Sequence, residues 1–307
     1  MNHLKILKES YGLVLKHRYL WLIGLFLGGS IGSNFLSYSN NFGSDGTKYD
    51  NDGNIASLVS ANVKDVGQVM GDKISVGLSN TEWAIAVVFA LLLVLALIYL
   101  NVTAKGAATW ATVKLHGGAK FGLKDAWETG HKYFWRKLSY DIIVGALVLV
   151  LMVLLATPII LLAIFELTIP ALVLGIMFGL SFFAVIIYLS LFLPYSERIL
   201  FLENKKTFQA LYAGFRLFNK NWVNLLLMYL ILFAINIAVL IGLFFAVVIC
   251  GFLAFGIGAA FYYFNHALGY ALGGLIGLAV VVALVAFGGA LQAFYWSVIT
   301  LAYKEVK

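Results

Sequence analysis

The chain alternates short stretches in which apolar and polar positions recur at helical spacing with long stretches that are apolar almost without interruption. A helix rising about 1.5 Å per residue needs about 20 apolar residues to cross a hydrocarbon layer of about 30 Å. Four stretches approach or exceed that length: Tyr19 to Leu36, Ala84 to Val102, Ile142 to Leu193 and Trp222 to Ala302, of 18, 19, 52 and 81 residues. The last two must turn. Glu166, Thr168 and Pro170 mark a tight turn in the third. In the fourth, Asn265 and His266 form the polar cluster, preceded by Gly256, Gly258 and the aromatic group Phe261, Tyr262, Tyr263 and Phe264, of the kind that marks a membrane interface. The expected fold is an all-α integral membrane protein with six transmembrane helices, at about 19–36, 84–102, 142–164, 169–193, 222–250 and 268–302. A second division, with a further break at Gly251, gives seven spans and moves the C-terminus to the other side.

Composition narrows the class. Hydrophobic residues make up 62% of the 307 and charged residues 11%, with a mean hydropathy of +0.95, against about 25% charged in a soluble domain. A soluble fold of this size still exposes roughly a quarter of its surface, so that much apolar surface calls for lipid as the solvent. Cys250 is the single cysteine and excludes an intramolecular disulfide or a multi-cysteine metal site.

Charge sets the orientation. Eighteen of the 21 Lys and Arg lie in the N-terminal tail, in 103–137, in 194–221 and at the C-terminal end. Segment 37–82 holds the other three, Lys48, Lys64 and Lys73, against six acids. Cations accumulate on cytoplasmic segments, so 37–82 is expected outside and both termini in the cytoplasm, as six spans require. The expected location is the cell membrane. The net charge of +7 then has the bilayer's anionic headgroups as its partner, not nucleic acid. The basic start, the apolar run from Leu20 and the small residues Ser30 and Gly32 resemble a cleavable signal peptide. The long charged start, together with a threefold repeat of which it is one copy, favours a retained first span.

In that repeat, three segments of similar design precede spans: LKESYGLVLKHRYLW from Leu7, DAWETGHKYFWRKL from Asp125 and QALYAGFRLFNKNW from Gln209. Setting Gly12, Gly130 and Gly214 equal aligns the cations Arg18, Arg136 and Lys220. Each segment carries a helical apolar stripe opposite polar residues, the pattern of a helix lying in the membrane interface. Arg18, Arg136, Lys137 and Lys220 are expected among headgroups. The chain thus reads as three repeats of an interfacial helix plus a helical hairpin.

Helix association in lipid depends on close approach through small residues. Gly24, Gly28 and Gly32, and Gly269, Gly273 and Gly277, are the candidate seams. Catalytic patterns are sparse. The five histidines are scattered, GSDGTKYDNDGN at Gly43–Asn54 lacks the glycine and terminal Glu of a calcium loop, and Ile55 to Gly77 suggests an amphipathic helix outside the membrane. Asn236 and Gln292 are the candidate intramembrane polar residues, expected to hydrogen-bond between helices. No catalytic residue, metal site or cofactor is expected.

The segments GHKYFWRKL and AGFRLFNKNWVNLLL, entering broad apolar hairpins, resemble bacterial polytopic proteins similar to the membrane domain attached to some glycerophosphodiester phosphodiesterases. In that family hydrolysis belongs to a separate soluble barrel, which these segments do not resemble, so the resemblance implies no activity. The expected role is non-catalytic, in membrane organisation or partner scaffolding. The alternatives are a small-solute or lipid permease lined by Asn236 and Gln292, and a lipid-modifying enzyme with two carboxylates meeting near Arg198 beside a pocket.

Overall fold

The computed structural model describes residues 1–27, 80–164, 168–262 and 266–307. Among them every element is a helix: α1 (His3–Lys16), α2 (Tyr19–Leu27), α3 (Asn80–His116), α4 (Leu123–Lys132), α5 (Phe134–Ile164), α6 (Thr168–Leu202), α7 (Thr207–Lys220), α8 (Trp222–Tyr262) and α9 (His266–Val306). The chain divides into two compact units, 29–100 and the remainder. Of the first, only the opening part of α3 is described, an apolar helix with exposed flanks. The second unit, Met1–Gly28 with Asn101–Lys307, holds the buried clusters of the described residues.

Five helices, α3, α5, α6, α8 and α9, are long and apolar enough to span a bilayer, which makes this a multi-pass membrane protein. The run 222–302 holds two helices, because α8 continues through Gly242 and Gly251 without a break. Of the first expected span, only α2 is described. Its continuation to Leu36, the segment 37–79 with the Gly43–Asn54 loop and the Ile55–Gly77 helix, Glu166 and Asn265 lie outside the described residues. The helices run beyond the expected spans. The 41 residues of α8 and of α9 reach about 60 Å each, twice the hydrocarbon thickness, and α6 passes Pro194 to end at Leu202.

Burial is concentrated at the cation-rich helix ends. The most apolar 18-residue stretches of the five long helices are between 0 and 6% buried, so the rest of the described chain leaves them almost uncovered. The core combines Leu20, Ile23 and Leu27 of α2 with Ala104, Ala107 and Ala111 of α3. It continues through Tyr140, Tyr195, Leu200, Phe218 and Leu225, and through Ile6, Met228, Val298 and Ala302.

The three amphipathic helices α1, α4 and α7 owe their seat to local packing, and α1 and α4 their start to a side-chain cap. Asn2 caps α1 by accepting from the Lys5 N–H at 3.1 Å, and Asp125 accepts from the Gly122 N–H at 2.9 Å before α4. Each then buries a ridge of residues four apart: Ile6, Ser10 and Val14 on α1, Ala126 and Gly130 on α4, Ala210, Gly214 and Phe218 on α7. A Cβ on Gly130 would stand 2.8 Å from the Ala107 nitrogen of α3, and one on Gly214 2.8 Å from Ser196 Cα of α6. Ile6 of α1 packs with Val298 and Ala302 of α9. Alignment on Gly12 misses this register, since Gly12 is exposed, faces open space and leaves the buried small position to Ser10.

The glycine seams are also rearranged. Gly24 packs on Gly289 of α9, where an added Cβ would lie 2.8 Å from the carbonyl carbon. Gly277 faces open space, Gly269 and Gly273 lie within α9, and Gly28 and Gly32 fall outside the described residues.

Candidate functional site: a buried ion cluster

At the junction of α5, α6 and α9 lies a group of charged side chains, of which Lys137, Glu197 and Arg198 are withdrawn from solvent and Asp141 is partly exposed. Lys137 of α5 has no exposed side-chain surface, and its Nζ donates to Asp141 Oδ1 and to Glu197 Oε1, the latter at 2.6 Å. The Lys137–Asp141 spacing puts both on one face of α5. Arg198 of α6 is equally enclosed. Its Nη1 donates to the Pro194 carbonyl at 2.9 Å and lies 3.4 Å from Glu197 Oε2, its Nε points to Thr300 Oγ1 at 3.4 Å, and the guanidinium stacks 3.9 Å over Trp296. Two cations and two carboxylates balance, as buried charges require. Lys105 of α3 also lies within electrostatic range of Glu197.

Hydrogen bonds extend this junction sideways. Trp296 Nε1 donates to Thr109 Oγ1 at 2.9 Å, and Thr112 and Ser297 pair their hydroxyls at 3.2 Å, locking α3 to α9. Arg136 donates to Asn204 Oδ1, and Asn204 adopts the left-handed backbone (φ 56°) that asparagine tolerates at a turn. Tyr303 Oη and Lys307 Nζ both donate to Glu203, which Lys205 also approaches at 2.8 Å.

Burial would raise the Glu203 carboxyl, but the hydrogen bonds from Lys205, Tyr303 and Lys307 and the charge of Lys307 prevail and hold it at about 2. A carboxyl held below its ordinary 4.5 adds stability above that value and loses it as pH falls toward the folded value. The melting temperature in detergent is therefore expected to fall between about pH 4.5 and about pH 2, and Glu203→Gln should flatten that fall. Equal slopes in a melting series would show that this contact contributes nothing.

The sequence-expected residues scatter. Arg18 and Lys220 are exposed and Arg136 half-buried, whereas Lys137 is enclosed in the ion cluster rather than set among headgroups. Its neighbours are a partner carboxylate one turn along and a second from α6, which compensate the charge without solvent. Asn236 is exposed in a groove lined by Tyr229, Leu232, Phe233, Tyr295 and Ile299. Gln292 is half-buried on α9, away from that lining. The cluster as a whole is not foreseen from the sequence. Its signals there are the Lys137–Asp141 spacing and an arginine, Arg198, followed at once by Ile199, Leu200, Phe201 and Leu202.

Chemically the cluster is a clamp. The Lys137 ammonium donates to both carboxylates and so ties α5 to α6. Three grooves, one between α1 and α9, one on α5 and one between α8 and α9, do not include the cluster residues in their linings, and no group of three His, Cys, Asp or Glu fit for a metal ion occurs among the described residues. The chain matches no protein-family model, no curated protein and no solved structure.

Proposed function

We propose that this protein acts on the bilayer itself, as a non-catalytic organiser of lipid or holder of a membrane partner. It sits in the cytoplasmic membrane with both termini inside, and α1, α4 and α7 are its interfacial helices. The observation that carries this reading is that α1 and α7 have two apolar faces. One face enters the protein core. The other leaves Leu4, Tyr11 and Leu15, and Phe208, Tyr212 and Phe215, exposed beside the cations Lys5, Lys8, Lys16, Arg216 and Lys220. A helix with an exposed apolar ridge and cations lies flat in the headgroup layer, each cation gaining about 1 kcal/mol from anionic lipid. The seating of α1 on α9, α4 on α3 and α7 on α6 supports the three-unit organisation.

The competing readings find less support. A permease would need Asn236 and Gln292 to line one path, but Asn236 opens on the exposed flank of α8. An enzyme would need carboxylates facing a pocket beside Arg198, and here Lys137 bridges them. Hydrogen exchange of the protein in vesicles tests the proposal. Amides of α1 and α7 should exchange more slowly in phosphatidylglycerol-rich vesicles than in phosphatidylcholine, and replacing Lys16, Arg18, Arg216 and Lys220 with Gln should remove the difference. Equal exchange in both lipids for the unmodified protein would refute it.

A further inference from the structure

α1 and α7 share one rotational layout. Counting about 100° per residue from Ile6 and from Ala210, the buried ridges occupy roughly the first 80° of each helix. The exposed apolar residues follow at about 140–200°: Leu4, Tyr11 and Leu15 on α1, Phe208, Tyr212 and Phe215 on α7. The cations come next, at about 200–280°: Lys5, Lys8 and Lys16 on α1, Arg216 and Lys220 on α7. α4 departs from the pattern. Counted from Ala126, Lys124 takes the place of Leu4 and Phe208, and Glu128 that of Tyr212, both of them exposed. The two apolar ridges also sit at one depth. Ile6 shares a buried cluster with Leu301 and Ala302, and Ala210 and Phe218 share one with Tyr303, so α1 and α7 are held at the same level along α9.

A free amphipathic helix can leave a leaflet that resists it, but α1 and α7 are fixed by their other faces. A Cβ on Gly214 would stand 2.8 Å from Ser196 Cα, and the Asn2 N–H at the start of α1 donates to Glu305 of α9 at 3.0 Å. The ridges must therefore be accommodated wherever the spans carry them. Each helix has 14 residues, about 21 Å in length and about 10 Å in width, so the pair takes up roughly 400 Å² of one leaflet. Insertion at headgroup depth spreads the outer part of that leaflet, and the strain relaxes where the leaflet is convex, which makes such helices sensitive to curvature. We infer that α1 and α7 form a rigid two-helix wedge through which the protein selects bilayer regions whose cytoplasmic leaflet is convex. The cations hold the wedge at headgroup level, and the apolar ridges supply the area.

This inference rests on the proposed bilayer-directed function, but the two can fail separately. The test reconstitutes the full chain into giant vesicles of phosphatidylcholine and phosphatidylglycerol, labels only outward-facing C-termini with an impermeant dye on a C-terminal tag, and pulls narrow membrane tubes outward. The labelled protein is expected at a density at least about twofold higher in the tube than in the vesicle body. Replacing Leu4, Tyr11, Phe208 and Tyr212 together with Gln removes the ridges and leaves the core faces and the cations in place. That variant should melt with the unmodified protein in detergent and distribute evenly. Leu4→Gln/Phe208→Gln, confined to the two most exposed ridge residues (78% and 70% exposed), should lose part of the enrichment. The glutamine variants of Lys16, Arg18, Arg216 and Lys220 should keep it, since their ridges are intact, while losing the slower exchange in phosphatidylglycerol. An even distribution of the unmodified protein, or undiminished enrichment in the ridge variants, would overturn the wedge. Slower exchange of α1 and α7 in phosphatidylglycerol would then leave the interfacial-helix reading standing.

Discussion

Replacing Lys137 with Met is expected to destabilise the protein in detergent by about 3–5 kcal/mol, the range for breaking a buried ion pair from one side. The side chain is fully enclosed, and its ammonium is what holds Asp141 and Glu197 together across α5 and α6. Without it, Glu197 stays 14% exposed with the 3.4 Å contact from Arg198 and the more distant charge of Lys105 to offset its own. Most of that loss comes from the orphaned carboxylate rather than from the missing pair. Adding Glu197→Gln to the Lys137→Met variant should therefore recover stability. Thermal unfolding followed by circular dichroism separates the cases. A single variant that melts with the unmodified protein would show that the cluster does not hold the helix ends, and a double variant worse than the single would show that the orphaned charge is not the cause.

The second large effect belongs to the crossing of α2 and α9. Gly24→Leu brings a side chain into the backbone of Gly289, and Gly289→Leu brings one against Leu25, whose Cδ2 is 2.9 Å from an added Cβ, and against the Trp21 carbonyl. Overpacking costs about 1–3 kcal/mol when side chains can yield; here the obstruction is backbone, so the upper end or more is expected for either variant. Gly277→Leu is the control, because its Cβ meets open space and the change should stay within about 0.5 kcal/mol. Melting temperatures that rank Gly277→Leu with Gly24→Leu would remove the seam as a source of the fold's stability.

At both sites the sequence displays one half of the contact and hides the other. Gly24 stands out as one of a series four apart, but its partner is Gly289 rather than any of the second series, Gly269, Gly273 and Gly277. Lys137 is legible as a cation at the start of a span, and a cation there is ordinarily a headgroup ligand. Its burial depends on Glu197, sixty residues away in sequence on a different helix. The three amphipathic helices lie where the pattern predicts them, yet their stripes are not wholly given to lipid as that pattern suggests. The structure divides the stripes of α1 and α7, sending Ile6, Ser10 and Val14, or Ala210, Gly214 and Phe218, into protein, and leaving Leu4 and Tyr11, or Phe208 and Tyr212, outside.

What the amino-acid order determined by itself was the membrane class, the placement of five of the six expected long helices, and the existence of short amphipathic helices. Those properties depend on hydropathy and spacing within one segment, and hydrocarbon imposes them locally by requiring each crossing backbone to satisfy its own hydrogen bonds. Tertiary structure alone decided which side of each long helix meets a neighbour. A helix that is apolar all round has no preferred face, so its rotation and partners follow from the few small or charged positions that find complements on distant segments, such as Gly24 on Gly289 and Lys137 on Glu197.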